Sequence, residues 1–206
     1  MSRRFGDPFF SREGGAAEAA HVFLEGTGMM GRLRPGVTVL ELGFGTGLNA
    51  LVTLRALREA AFRGPLRFVS LERFPLAPAD RARALAAFPD LAPEAAELLA
   101  ALRAPGPWRL GPLVLEVLEG DARDLLPRWE GEADAAFLDG FAPARNPEMW
   151  EPPLLAALAA RLRPGAVAAT YSAAGQVRRA LAAAGLLVER RPGFGHKRHM
   201  TVATRP

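Results

Sequence analysis

The sequence predicts an α/β fold, a mostly parallel sheet ending in a C-terminal antiparallel hairpin, and three observations predict it. Segments rich in Val, Leu and Phe alternate with Ala/Leu/Arg segments of helical character, punctuated by Pro and Gly, as expected of parallel strands joined by crossover helices. The last two apolar segments are separated only by Pro192-Gly193-Phe194-Gly195-His196, too short for a helical crossover, so they are expected to pair antiparallel. A glycine loop, Gly43-Phe44-Gly45-Thr46-Gly47, follows the first segment, where sheets of this class bring a ligand to the carboxyl ends of their strands.

In chain order, strands are expected at 37–42, 66–71, 113–118, 133–138, 166–171, 186–191 and about 199–204. Helices are expected between them at 48–61, 77–87, 93–102, 122–129, 152–162 and 174–184. The Pro/Gly stretch 104–112 reads as a long loop within the domain. No internal repeat or linker is evident. The chain of 206 residues therefore reads as a single domain, with residues 1–34 a less regular cap and 35–206 the core.

Composition narrows the chemistry. There is no cysteine, which removes disulfides, thiolate catalysis and Cys-type zinc sites, and the three histidines are too scattered to suggest a metal site. No apolar run is long enough to span a bilayer and the N-terminus lacks a signal peptide's apolar centre, so a cytoplasmic protein is expected, with no membrane partner. The net charge is +4, and from Arg178 to Arg205 seven basic residues face Glu189 alone. A basic C-terminal face suits a polyanionic partner, and a merely solvated charged surface is the rival reading.

The loop sits in Glu41-Leu42-Gly43-Phe44-Gly45-Thr46-Gly47-Leu48-Asn49. A dinucleotide fingerprint G-x-G-x-x-G would need glycine at 48, where Leu48 stands, and no G-K-[ST] follows for a nucleotide phosphate. Two acids fall at the ends of later strands. Glu72, after the second, can accept from both hydroxyls of a ribose, and Asp121, in Gly120-Asp121-Ala122 after the third, can accept from an adenine amino group. Asp139, in FLDGFAPARNPEMW, ends the fourth, the usual place for substrate chemistry in such a fold, and Pro143, Pro147 and Trp150 stiffen the loop beside it.

The E-x-G-x-G-x-G spacing resembles the first motif of class I, Rossmann-like, S-adenosylmethionine-dependent methyltransferases. DPFFS, HVFLEG, ELGFGTGLN, SLERFPL, AFLDGFAPARNPEMW, SAAGQVRRAL and RRPGFGHKRHM together resemble the methyltransferase domain of the MnmC family, which methylates the aminomethyl group on the wobble uridine of tRNA. The likeness extends over nearly the whole chain. It implies S-adenosyl-L-methionine as cofactor, held by Glu41, Gly43, Phe44, Gly45, Thr46, Gly47, Asn49, Glu72, Asp121 and Ala122. It also implies N-methylation of a 5-aminomethyl-(2-thio)uridine in the anticodon loop. The two-domain members carry an FAD-dependent oxidoreductase domain; nothing here is suited to FAD, so a stand-alone methyltransferase is expected, with no metal.

Methyl transfer to nitrogen is an in-line displacement, so positioning is the main catalytic task. Asp139 is assigned to orient the amine, with proton removal as its weaker role. Phe141, Trp150 and Phe194 are candidates to stack on the base, against a packing role for each. Arg145, Arg178, Arg179, Lys197 and Arg198 are candidates for phosphate contacts. The alternatives are a class I methyltransferase acting on another RNA, a protein or a small-molecule amine, an aminopropyltransferase, and a non-catalytic tRNA-binding module.

Overall fold

One eight-stranded sheet organises the chain, in the spatial order β3-β4-β2-β1-β5-β6-β8-β7. Its strands are β1 (Thr38–Leu42), β2 (Leu66–Glu72), β3 (Trp108–Leu110), β4 (Leu113–Glu119), β5 (Ala133–Leu138), β6 (Leu162–Thr170), β7 (Leu187–Pro192) and β8 (His199–Thr204). The computed structural model describes residues 1–11 and 14–206. Strands β4, β2, β1, β5 and β6 run parallel, while β3 lies antiparallel to β4, and β8 lies antiparallel to both β6 and β7.

The helices are α1 (Gly15–Ala19), α2 (Leu48–Glu59), α3 (Pro78–Leu85), α4 (Ala92–Ala101), α5 (Ala122–Arg128), α6 (Pro152–Arg161) and α7 (Gly175–Ala183). They cover both faces, because successive strand side chains point to opposite sides. On one face Val39, Phe68 and Phe137 pack with Leu51 and Leu54 of α2, Leu98 of α4 and Phe23 of the N-terminal region. On the other, Leu40, Val69 and Ala136 pack with Leu126 of α5, Leu155 and Leu158 of α6, and Leu181 of α7. Fully burying a Leu of this kind contributes roughly 1.5–3 kcal/mol. Glu94 of α4, buried, accepts from Arg55 and Arg58 of α2, at 3.0 Å each in its two closest ion pairs. That pairing fixes the helix whose first turn carries the glycine loop.

Two expectations need correction. Residues 104–112 are not all loop: Trp108–Leu110 forms a short edge strand on β4, its three residues too few to show a period of two. Strand β6 starts at Leu162 rather than 166, since Pro164 disfavours helical backbone at Arg163 and ends α6 at Arg161. The expected hairpin is present, but β8 lies inside the sheet and β7 forms its edge. Met200, Thr201, Val202 and Ala203 are buried, whereas charged β7 is largely exposed.

The N-terminal cap is more ordered than its sequence suggests. Helix α1 runs directly into a π-helical turn, Ala20–Glu25, whose Val22, Phe23 and Leu24 are buried. Residues 1–11 lie over the carboxyl ends of the strands. Among the described residues no helix is long and apolar enough to cross a membrane.

Candidate active site

The carboxyl ends of β1, β2, β4, β5 and β6 open into one cavity of about 1260 Å³. Its floor is the glycine loop. Gly43 has φ +98°, and a Cβ there would lie 2.9 Å from the Asp139 carbonyl oxygen, so only glycine lets the ends of β1 and β5 come this close. Gly47 has φ +87° and precedes α2; a Cβ would meet Leu98 and Phe44 at 2.9 and 3.0 Å, so this glycine serves packing and does not line the cavity.

Glu72 ties the loop to β2. Its Oε2 accepts from the Gly45 N–H at 2.8 Å and its Oε1 from the Phe74 N–H at 2.7 Å, which leaves a lone pair on each oxygen for a pair of vicinal hydroxyls. From the other side Arg81 of α3 donates to the Gly45 carbonyl at 2.9 Å and lies 4.7 Å over the Phe44 ring. Arg81 is buried, and that burial lowers its pKa. Sequence reasoning missed it, although its i,i+4 spacing to buried Leu85 marks one face of α3.

Asp121 caps α5 through the Arg123 N–H, and its carboxylate also accepts from the Arg123 guanidinium and from Arg73 at 2.8 Å. The Arg123 bonds, with Arg73 beside them, hold its pKa down to about 2. An adenine amino group approaching Asp121 must therefore replace one of these bonds, and the exposed Arg73 is the weaker holder. Ala122, first in α5 and lining the cavity, carries an N–H with no partner inside its helix.

Glu41 needs a correction. Instead of facing the cavity it is buried beneath it, 1% exposed, accepting from Asn49 at 2.8 Å and from Ser70 at 2.5 Å. Burial pushes its carboxyl up to about 8 against those two bonds. Asn49 does line the cavity, with Phe44 and Thr46, and the same amide nitrogen donates to Asp139 Oδ2 at 2.7 Å. Burial likewise pushes Asp139 up to about 7; the Asn49 bond and Lys197 pull it down and Glu18 pushes it further up. Placed where β5 ends, this carboxyl lines the cavity with one oxygen held by Asn49.

The aromatic candidates are already engaged. Phe141 lies 4.8 Å from Phe5 and 5.3 Å from Phe9, centroid to centroid, and Asp7 accepts from the Ala142 N–H at 2.9 Å, so the N-terminal segment covers the cavity beside Asp139. Trp150 is buried and donates to the Phe141 carbonyl at 2.8 Å, a packing role. Phe194 packs toward Gly14 and His21, away from the cavity lining.

The basic candidates separate into three places. Arg145 is exposed at the cavity mouth, and Arg198 is exposed on the hairpin. Arg178 and Arg179 line a separate shallow cavity of about 260 Å³ at the start of α7. Lys197 is still 43% exposed, but its ammonium lines the main cavity, where it pairs with Glu18 at 2.6 Å and lies 4.4 Å over the Tyr171 ring.

Known proteins are similar to this chain to different degrees. A family model described as S-adenosyl-L-methionine-dependent methyltransferase matches residues 107–206. The tRNA 5-methylaminomethyl-2-thiouridine biosynthesis bifunctional protein MnmC of Ectopseudomonas mendocina (strain ymp) is 48% identical over 212 residues, covering 97% of this chain and 32% of that protein. The chain spans about a third of the length of the curated relatives it matches. The crystal structure of MnmC2 from Aquifex aeolicus is similar with a TM-score of 0.82 and 30% identity, covering 100% of this chain and 67% of that one. TrmN from Thermus thermophilus, with a TM-score of 0.56 and 22% identity over 100% of this chain and 53% of its own, shares the fold.

Proposed function

The chain belongs to the family of S-adenosyl-L-methionine-dependent methyltransferases that includes MnmC2 of Aquifex aeolicus, and from that premise we propose that it methylates the nitrogen of a 5-aminomethyl group on the (2-thio)uridine at the wobble position of tRNA. One observation carries the reading: a single cavity is lined by Gly43, Phe44, Gly45 and Thr46 of the glycine loop, by Glu72 and Asp121, and by Asp139. The names of the MnmC relatives support tRNA as the partner, and a tRNA substrate implies work in the cytoplasm. Residues 35–206 form the catalytic core and residues 1–34 its cover.

The residues present fit the cofactor. Glu72 has acceptor capacity left for ribose hydroxyls, and Asp121 and the Ala122 N–H suit an adenine edge. When bound, the cofactor supplies an electrophilic methyl group on a sulfonium centre. Everything else falls to the chain.

Asp139 receives the acceptor. The amine arrives mostly as an ammonium, since primary amines of the lysine type titrate near ~10.4. With Oδ2 held by Asn49, Oδ1 is the atom assigned to accept from the nitrogen, and the carboxylate takes its proton. The lone pair so released would be free to take the methyl group that the cofactor supplies, with the sulfonium centre leaving as the neutral thioether. Phe5, Phe9 and Asp7 keep bulk water away from this step.

The test is an anticodon stem-loop carrying 5-aminomethyl-2-thiouridine, incubated with enzyme and S-adenosylmethionine and digested to nucleosides for mass spectrometry. The expected product is the 5-methylaminomethyl nucleoside. Methylation at any other position, or of free metabolites in preference to the stem-loop, overturns the reading.

A further inference from the structure

Beside Asp139 the chain already holds a primary ammonium group in place. Lys197 Nζ lies 2.6 Å from Glu18 Oε1 and 4.4 Å from the centroid of the Tyr171 ring. The Glu18 side chain is only 12% exposed, and its second oxygen accepts from Ser11. Tyr171, at the end of β6, is fixed by its hydroxyl, which donates to the Gly140 carbonyl at 2.7 Å, one residue from Asp139. Lys197 itself comes from the hairpin connection between β7 and β8, where its N–H donates to the Phe194 carbonyl at 3.0 Å. Its backbone is thus mounted at the surface while its ammonium reaches the cavity.

A carboxylate and an aromatic face, with a second carboxyl adjacent, make a receptor for a cationic amine. The acceptor named above is a primary amine on a single methylene, the same terminal group that a lysine side chain presents. Resting on that acceptor, we propose that Glu18 and the face of Tyr171 form the subsite that captures the substrate's ammonium group, and that Lys197 fills this subsite as an internal stand-in until the substrate displaces it.

Two consequences follow. Capture at Glu18 brings the ammonium to Asp139 in its stable charged form, and proton loss then occurs at the second carboxyl. The subsite also discriminates: a uridine substituent ending in a carboxylate would face Glu18 as a like charge, and one with no amine would leave Lys197 in possession.

Lys197 is the sole lysine and Tyr171 the sole tyrosine of the chain, which makes the exchange directly observable. A lysine-specific ¹³Cε label gives one protein signal, displaced by the ring current of Tyr171. With S-adenosylhomocysteine present to prevent turnover, the stem-loop carrying 5-aminomethyluridine is expected to move that signal to the position of an unconstrained lysine. The same stem-loop with plain uridine is expected to leave it in place. In steady-state assays Glu18→Gln is expected to raise KM for the aminomethyl stem-loop about tenfold or more, the effect of losing one charge-assisted hydrogen bond, with a smaller change in kcat. An unmoved lysine signal with a stem-loop that the enzyme methylates, or an unchanged KM in Glu18→Gln, overturns the subsite and leaves the acceptor standing. No methyl transfer by the wild-type enzyme overturns the acceptor, and the subsite with it. Should Glu18→Gln fail to fold, the titration of the wild-type lysine signal decides alone.

Discussion

Asn49 donates to Asp139 across 2.7 Å, and the same amide nitrogen donates to Glu41 across 2.8 Å. One side chain from the first turn of α2 therefore fixes two carboxyls, one facing the cavity and one buried beneath it. Both are pushed up by burial, and in both the bond to Asn49 opposes the push by favouring the ionised form. Removing the amide as Asn49→Ala lets the Asp139 carboxyl rise further above about 7. The acidic limb of the pH–rate profile is then expected to move to higher pH, and kcat/KM at pH 7 to fall roughly three- to tenfold, the worth of one hydrogen bond. An acidic limb that stays in place would separate Asp139 from the proton step.

Glu41 gives the fold a pH dependence of defined sign. In the native state its carboxyl keeps a proton up to about 8, whereas the unfolded chain releases it near the ordinary 4.5. Between those values the native state binds more protons, so its contribution to stability is present at low pH and is lost as pH rises through 8. Glu41→Gln keeps an acceptor for Asn49 and reverses the bond to Ser70, its amide donating to the hydroxyl, without a titrating proton. Thermal melts are expected to show the variant gaining on wild type from pH 5 to pH 9, with the gain complete above 8. Parallel curves across that range would contradict the buried protonated carboxyl. Asp139, raised to about 7, leaves a residual slope of the same sign in the single variant.

At the cofactor side, Gly45 is held from two directions, its N–H by Glu72 and its carbonyl by Arg81. Glu72→Ala removes both the loop contact and the acceptor proposed for the ribose, so the rise in Tm produced by S-adenosylhomocysteine is expected to vanish. Arg81→Leu removes only the loop contact. It is expected to weaken cofactor binding about tenfold at saturating acceptor, with the ligand-induced rise reduced but measurable. An undiminished rise in Glu72→Ala would place the ribose elsewhere.

Asp139 is assigned the acceptor, and Asp139→Asn keeps its shape and its bond to Asn49 while removing the proton site. A positioned general base contributes about 10²–10⁴ in rate, and turnover is expected to fall by an amount in that range. Binding of S-adenosylhomocysteine and of tRNA is expected to survive, because neither depends on this carboxylate. A fall below about tenfold would leave orientation, which Asn can partly supply, as the whole of the residue's work.

The strand ends were legible because the constraints there are local. Glycine is required where β1 and β5 meet, and the acids follow strands recognisable from their apolar runs, so Gly43, Glu72, Asp121 and Asp139 fell on the cavity as the pattern implied. What faces inward from a loop is a tertiary fact. Lys197 and Arg198 are neighbours in the sequence, yet one reaches Glu18 and Tyr171 and the other stays in solvent. Phe141 read as an open stacking platform because nothing in FLDGFAP reveals that Phe5 and Phe9, more than a hundred residues earlier, pack on it. The E-x-G-x-G-x-G resemblance implies Glu41 at the cofactor, whereas strand alternation turns it under Asn49.

Arg178 and Arg179 stand outside the cavity but on the same rim. Helix α7 begins shortly after β6 ends at Thr170, and β6 is one of the strands whose carboxyl ends carry the site. Both guanidiniums fold back over the helix start: a Cβ on Gly175 would meet Arg179 Nη1 at 3.0 Å and Arg178 Nη2 at 4.0 Å. The unpaired N–H groups and positive dipole end of that first turn add to their charge, which suits a phosphate of an anticodon arm whose wobble base has entered the cavity. Each phosphate neutralised on a single-stranded loop releases condensed counterion worth about 0.7 in the slope of log affinity against log salt. Replacing both arginines by Ala is therefore expected to weaken tRNA binding and flatten that slope by about 1.4. The Tm rise with S-adenosylhomocysteine is expected to stay intact, because the cofactor side lies in the other cavity. An unaltered slope would make these charges a solvated surface and leave the phosphates to Arg145 at the cavity mouth and Arg198 on the hairpin.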